Sequence, residues 1–406
     1  MLGGTHIQIP AIKAARAMGH YVITCDYLED NPGHKYANEY YNVSTTDKDG
    51  VLSLAKKLGI DGIVCYASDP AAPTAAYVAE KMGLPSHPYQ SVEILSNKDM
   101  FREFQKENNF NVPKAKGFNS LEEAKKEFHN FKMPVMIKPV DSSGSKGVSK
   151  IDSIEFLEEK VKNALSFSRV KRFIIEEYIE SDGYHVGGDG FSVNGKLVFR
   201  TFMDEHFPIT TSSNPFVPVT STLPTTKFVH LQNKIHEEIQ RVLDLLNMKT
   251  GAFNFDIRVD NNENVYLIEI GARNGGDYIP QLIKYATGIN TVEYTIKAAL
   301  GEDCSDLAMS EPSGYWSTYL INSQKTGVFK GVEIHEELKS NNIVEYELFV
   351  KPGDTISALT GANGGLGILF LKFSSMDEML DKMGNIIKMV EVVVESPSLV
   401  TSKRLE

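Results

Sequence analysis
Asp256 and Glu269 stand in the run FNFDIRVDNNENVYLIEIGARNGGDY, residues 253–278. Apolar residues on either side of the polar turn 260–264 predict two paired strands, and on such a hairpin both carboxylates reach one face. Two carboxylates on neighbouring strands make a hard, oxygen-rich site suited to Mg²⁺. Arg273 and Asn274 follow within one short loop. A guanidinium there can hold a phosphate or a developing oxyanion.

Residues that can hold phosphate lie upstream. Lys138 ends the apolar strand-like run PVMIKP and leads into DSSGSKGVSKI. Gly144 and Gly147 let backbone N–H groups approach closely, and Ser142, Ser143 and Ser145 add hydroxyls. The segment is not a P-loop, because the lysine precedes the loop and no GKS or GKT closes it. Taken alone, an ordinary Gly/Ser hairpin turn explains it equally well. Lys98 stands at a predicted helix start behind a Ser96/Asn97 cap; alone it reads as solvated surface. FIIEEYIE, residues 173–180, carries Glu176 and Glu177 at the end of an apolar strand. It suits a purine hinge, and equally an edge strand with outward carboxylates.

Composition bounds the answer. A chain of 406 residues suffices for two or three domains. A net charge of −11 argues against a general nucleic-acid binder, which needs basic stripes, but leaves room for one nucleotide pocket. Cys25, Cys65 and Cys304 match neither a disulfide framework nor a zinc pattern. No apolar run is long enough to span a membrane and no signal-peptide pattern precedes the first helix, so a cytoplasmic protein is expected, with no nucleic-acid or membrane partner.

Helix-like and strand-like runs alternate over residues 9–83: a helix from Ile9 to Met18, a strand over 21–25, a helix at DKDGVLSLAKKLG, a strand at IDGIVCYA and a helix at PTAAYVAEKMG. This order predicts a parallel sheet with helices on both faces. The usual first strand before Gly3-Gly4 has almost no residues here; either the natural chain starts upstream or the domain lacks that strand. From Lys98 the pattern changes to helices at DMFREFQKENN and 121–128, alternating runs over 186–193 and 196–203 that predict an antiparallel sheet, and a long amphipathic helix near 227–246. Short strands and one late helix, SMDEMLDKMGNIIKM, follow from about Ser310. The fold expected is α/β and α+β multidomain: a Rossmann-like domain over 1–97, a second domain over 98–301 and a small C-terminal α+β domain over 302–406.

In order and spacing, these segments resemble the ATP-grasp superfamily over about residues 3–301. The Rossmann-like opening resembles the pre-ATP-grasp domain of biotin carboxylase, carbamoyl phosphate synthetase and the purine-pathway ligases. The tail, with KTGVFKG and VKPGDTISALTGANGGLGILF, looks like that of L-amino-acid ligases. The resemblance implies ATP and Mg²⁺ as cofactors, two ions being the expectation and Mn²⁺ a further option. It implies that Lys98 and Lys138 contact the α- and β-phosphates and that Ser142 to Val148 form a mobile lid over the β- and γ-phosphates. It implies further that Glu176 accepts from the adenine amino group, with the backbone of Glu177 and Ile179 completing the hinge. Asp256 and Glu269 would bind metal, and Arg273 would face an acyl phosphate. Two departures stand out. Many members have asparagine where this chain has Gly271, leaving water, Asn254 or Asn274 to serve a second ion. Many have a ribose-binding glutamate where this chain has His185.

The implied activity is an ATP-dependent carboxylate–amine ligase working through an acyl phosphate, on a small-molecule carboxylate and amine, with an amino acid or amino sugar as candidates. A bicarbonate carboxylase or a thiol ligase is the alternative, and a silent nucleotide-binding protein the reading from another class. A homodimer is one assembly expected. Asp69, His206, Asp277 and the segment 202–223 are candidates to meet substrate, each equally explained as loop structure. GANGGLG, 361–367, reads as a turn.

Overall fold
The computed structural model describes residues 1–208, 214–361 and 364–395. The candidate acceptor segment and the GANGGLG turn therefore lie partly outside the described residues. The chain divides into two compact units, Met1–Glu205 with Leu223–Ser313, and His206–Thr222 with the described residues from Gly314 onward.

The first unit opens with helix α1 (Ile9–Ala17), whose Ala11, Ile12 and Ala15 are buried, followed by the parallel strands β1 (Ile23–Asp26) and β2 (Glu39–Asn42). Helices α2 (Lys48–Leu58), α3 (Ala72–Met82) and α4 (Tyr89–Ser96) follow. The first two stop at Gly59 and Gly83, both left-handed, as a glycine after a helix favours. The strand expected at 60–67 is reduced to a single bridge. Leu2 pairs with Cys65 on one side and Cys25 on the other, and Leu2 N donates to Val64 O at 2.9 Å. Beside Met1 and Leu2 lies a cavity of 290 Å³ lined by Val22, Ile23, Leu54, Ile60 and Leu300.

Helix α5 (Lys98–Glu107) and strand β3 (Ala115–Phe118) come next, then α6 (Leu121–Glu127), β4 (Val135–Pro139), β5 (Ser149–Ile151), α7 (Leu157–Phe167) and β6 (Phe173–Glu177). Their sheet has the order β3-β6-β4-β5. Its inner face packs Val135, Ile137, Phe173 and Ile175 on Leu157 and Val161 of α7. The edge-strand reading of FIIEEYIE is thereby corrected: β6 is internal, and Glu176 is 2 % exposed.

Strands β7 (His185–Val193) and β8 (Lys196–His206) form a hairpin across Asn194-Gly195, both at positive φ, the chemistry of a tight two-residue turn. Helix α8 (Val229–Leu245) precedes the second hairpin, β10 (Gly251–Val259) and β11 (Val265–Gly271), and α9 (Ile279–Thr287) and α10 (Thr291–Leu300) close the unit. Here the strand order is β11-β10-β7-β8. α8 buries Ile235, Ile239 and Val242 against Phe253, Phe255 and Ile257. α5 covers the open edge of β11: Arg102 Nη2 donates to Ile268 O at 2.8 Å and Gln105 Nε2 to Leu267 O at 2.7 Å.

The second unit holds β9 (Thr220–Leu223), β12 (Tyr315–Ile321), β13 (Gly327–Ile334), α11 (Glu336–Asn341), β14 (Ile343–Leu348), β15 (Thr355–Ile356) and β16 (Gly367–Phe373). The late helix is broken at Asn385 into α12 (Met376–Gly384) and α13 (Ile386–Met389), before β17 (Val390–Glu395). Leu369, Leu371, Phe329 and Met379 form its core. Among the described residues no helix is long and apolar enough to cross a membrane.

Candidate active site
Asp256 and Glu269 are direct partners across the β10–β11 ladder, as the hairpin pattern predicts. Lys98, on the first turn of α5, reaches this hairpin. Its Nζ donates to Glu269 Oε1 at 3.0 Å and to the Ser142 carbonyl at 2.8 Å. The predicted Ser96/Asn97 cap does not form. Asn97 Nδ2 turns back to Glu93 O, and the Lys98 N–H donates to Val140 O at 3.0 Å instead. That bond ties the helix start to the chain just beyond β4, so Lys98 and Lys138 sit on connected elements.

Lys138 and Glu176 lie on adjacent strands and meet at 2.7 Å. Arg102, one helical turn after Lys98, brings Nε to 3.0 Å from Glu176 Oε1. All three side chains are buried. Burial alone raises a carboxyl pKa, yet Arg102 and Lys138 hold Glu176 down to about 2. Burial in turn lowers the Lys138 pKa against the pull of Glu176. The Arg102 contact lacks hydrogen-bond alignment, so Glu176 Oε1 remains a buried acceptor with no hydrogen bond. In the hinge beyond it, the Glu177 N–H donates to Lys114 O, Glu177 Oε1 accepts from Lys132 N, and Ile179 O accepts from Arg258.

The loop joining β4 to β5 holds Gly144, Ser145 and Gly147 at φ +63°, +57° and +74°. Three left-handed residues curl it over Lys98, which its Ser142 carbonyl holds. Lys146 in the same loop has its pKa lowered by burial. His185 opens β7; burial, then Arg258 and Lys227, push its pKa down to about 3. It is a neutral ring at physiological pH.

Arg273 makes a bidentate pair with Asp69, Nε to Oδ1 at 2.7 Å and Nη2 to Oδ2 at 2.6 Å. Burial opposes charge on Arg273, but Asp69, Asp189 and Glu269 raise its pKa overall. Asp69, expected to end a strand, begins a short 3₁₀ turn (Asp69–Ala71). Asn274 lies in the loop after β11. It is wholly buried, and its Oδ1 accepts from Thr295 at 2.8 Å. Asn254 Nδ2 donates to Gly188 O and to Asp189. His206 pairs with Thr222 at 3.0 Å, within the second unit.

Glu205 on β8 carries no sequence signal beyond a charge in a buried strand. Burial, then Asp256 and Asp277, raise its pKa well above normal. Asp277, at φ +48°, is itself pushed up to about 6 by burial. This excess of carboxylate beside the hairpin, with oxygen donors only, fits a hard divalent cation. Among the described residues no group of three His, Cys, Asp or Glu is arranged to ligate one. Mg²⁺ is commonly held by one or two carboxylates together with substrate phosphates, and Asp256 and Glu269 are the two candidates on this hairpin.

Residues 131–281 match the ATP-grasp domain family. The chain carries an ATP-grasp domain. It is 28% identical over 284 residues to the carbamoyl phosphate synthase large chain of Thermoanaerobacter sp. (strain X514), a match spanning 68% of this chain and 25% of that one. The formate-dependent phosphoribosylglycinamide formyltransferase of Prochlorococcus marinus (strain NATL2A) is 23% identical, with 97% of this chain and 98% of that one covered. Among solved structures, the L-amino acid ligase from Bacillus licheniformis superposes with a TM-score of 0.82 at 21% identity, covering 97% of this chain and 98% of that one. The biotin carboxylase domain of the Hydrogenobacter thermophilus 2-oxoglutarate carboxylase, solved with MgADP, ADP and bicarbonate, gives 0.74 at 17% identity, covering 97% and 90%. These structural likenesses establish the fold.

Proposed function
We propose that this ATP-grasp protein is an ATP- and Mg²⁺-dependent carboxylate–amine ligase that forms an acyl phosphate and releases ADP and phosphate. The observation that carries the reading is the Lys98–Glu269 contact, roofed by the Ser142 carbonyl. It brings a cation, a paired carboxylate and a phosphate-type loop to one point.

In this reading Lys98 and Lys138 hold the α- and β-phosphates, and the loop 142–148 closes over the β- and γ-phosphates. Glu176 Oε1 accepts from the adenine amino group, the backbone of Glu177 and Ile179 faces the base, and His185 bonds the ribose. Asp256 and Glu269 hold Mg²⁺, which when bound neutralises triphosphate charge as a carboxylate anion approaches. Arg273 offers N–H groups to the acyl-phosphate oxygen. The amine then attacks the acyl carbon and phosphate leaves. An amino acid is the acid proposed, supported by the likeness to the L-amino acid ligase fold.

The test is phosphate release from ATP and Mg²⁺ by the purified protein, with amino acids supplied singly and in pairs. Release that requires an acid and an amine together is expected. Release equal without either, or wild-type turnover in Glu269→Ala, contradicts the proposal.

A further inference from the structure
We infer that Asp69 is a positioning residue for Arg273, and that Gly271 is glycine because the Asp69 carboxylate occupies the space a side chain there would fill. The contact stands on geometry; its chemical consequence rests on the ligase reading above. A Cβ built on Gly271 would lie 2.7 Å from Asp69 Oδ1 and 3.0 Å from Arg273 Nε. Gly271 ends β11, opposite Asn254, at an ordinary strand position with no need of a left-handed backbone. Its lack of a side chain is therefore a matter of space. A side chain at 271 has no room while Asp69 is in its place.

The pair also decides which edge of the guanidinium faces the site. Asp69 takes one N–H each from Nε and Nη2, and the Asn274 carbonyl takes one from Nη1 at 3.0 Å. One N–H is left on each of Nη1 and Nη2. The end of the fork, not its Nε edge, is what a phosphoryl or acyl oxygen meets. Asp69 and Arg273 side chains are 19% and 10% exposed, so water competes little for these bonds. Asp189 and Glu269 also act on the Arg273 charge.

The experiment is a double-mutant cycle on kcat with Asp69→Ala, Gly271→Ala and the two combined. Each single change is expected to lower kcat by roughly 100-fold, the effect of losing one preorganised charge-stabilising donor. Because both act on one contact, the double variant should fall at most about threefold below Asp69→Ala. The dissociation constant for ATP, read by calorimetry, should not move in any of them. Asp69→Asn keeps the size but accepts only from one oxygen, and is expected to lose kcat in the same way. Full kcat in Asp69→Asn, or losses that multiply in the double variant, overturns the inference. If the wild-type protein turns over no substrate, the ligase reading fails, and the brace is then judged by urea unfolding of the same four proteins. Additive stability losses there overturn it, and non-additive losses sustain it.

Discussion

Lys98 Nζ and Glu269 Oε1 lie 3.0 Å apart, a lysine from a helix start closing on a carboxylate of the β10–β11 hairpin. Without nucleotide each neutralises the other. When MgATP binds, the proposed roles separate them, the lysine turning to phosphate and the carboxylate to metal. Lys98→Met should therefore weaken ATP binding about tenfold or more, since a hydrogen bond to a charged group contributes about 1.5–3 kcal/mol. Calorimetry with a non-hydrolysable ATP analogue reads this, and unchanged affinity would remove Lys98 from the phosphate site.

Glu176 is the anion shared by two buried cations. Its folded pKa, about 2, lies below the unfolded value of 4.5. The ionised group thus stabilises the fold fully above pH 4.5, and that contribution is lost as pH falls toward about 2. Glu176→Gln leaves Lys138 and Arg102 buried without their anion and should cost about 3–5 kcal/mol. Urea unfolding at neutral pH measures the loss. Between the two pKa values, the variant's stability should also depend less on pH than that of the wild type. A loss below about 1 kcal/mol would show that the triad is not a stability determinant.

His185 has its pKa pushed from 6.5 to about 3, by burial first. A ring that stays neutral cannot switch its ribose contact near neutrality. Within the proposed function, the KM for ATP should stay flat as pH crosses 6.5. A tenfold rise in that window, abolished by His185→Asn, would show that the ring protonates there.

Asp256 crowds Glu205, and Asp277 adds to the repulsion. Removing one charge relieves that repulsion and also removes a metal ligand. In chelator, Asp256→Asn should be at least as stable as the wild type. On adding Mg²⁺, the wild type should gain stability, which a bound ligand confers by mass action, and the variant should not. Thermal unfolding with and without Mg²⁺ reads both arms; an equal gain in the two proteins removes Asp256 from the metal site.

The parts of the site that were legible in the sequence lie on strongly periodic elements. The alternation around 260–264 predicts the hairpin and thereby the pairing of Asp256 with Glu269. Lys138 could be placed at a strand end because PVMIKP is continuously apolar. What escaped depends on tertiary packing. Arg102 follows Lys98 at helical spacing, a usable signal, but nothing local says that it buries against Glu176. The strand expected at 60–67 is reduced to the bridge between Leu2 and Cys65, a pairing that no pattern within 60–67 decides. Gly271 read as a missing ligand, and its reason is a carboxylate that lies far away in the sequence.

The most direct test follows the oxygen. If the acid's carboxylate attacks the γ-phosphoryl group, one carboxylate oxygen leaves with the phosphate when the amine attacks. An amino-acid substrate labelled with ¹⁸O in its carboxylate, turned over with ATP, Mg²⁺ and an acceptor amine, should yield phosphate carrying one labelled oxygen by mass spectrometry. Unlabelled phosphate released in step with amide formation would contradict the acyl-phosphate ligase account.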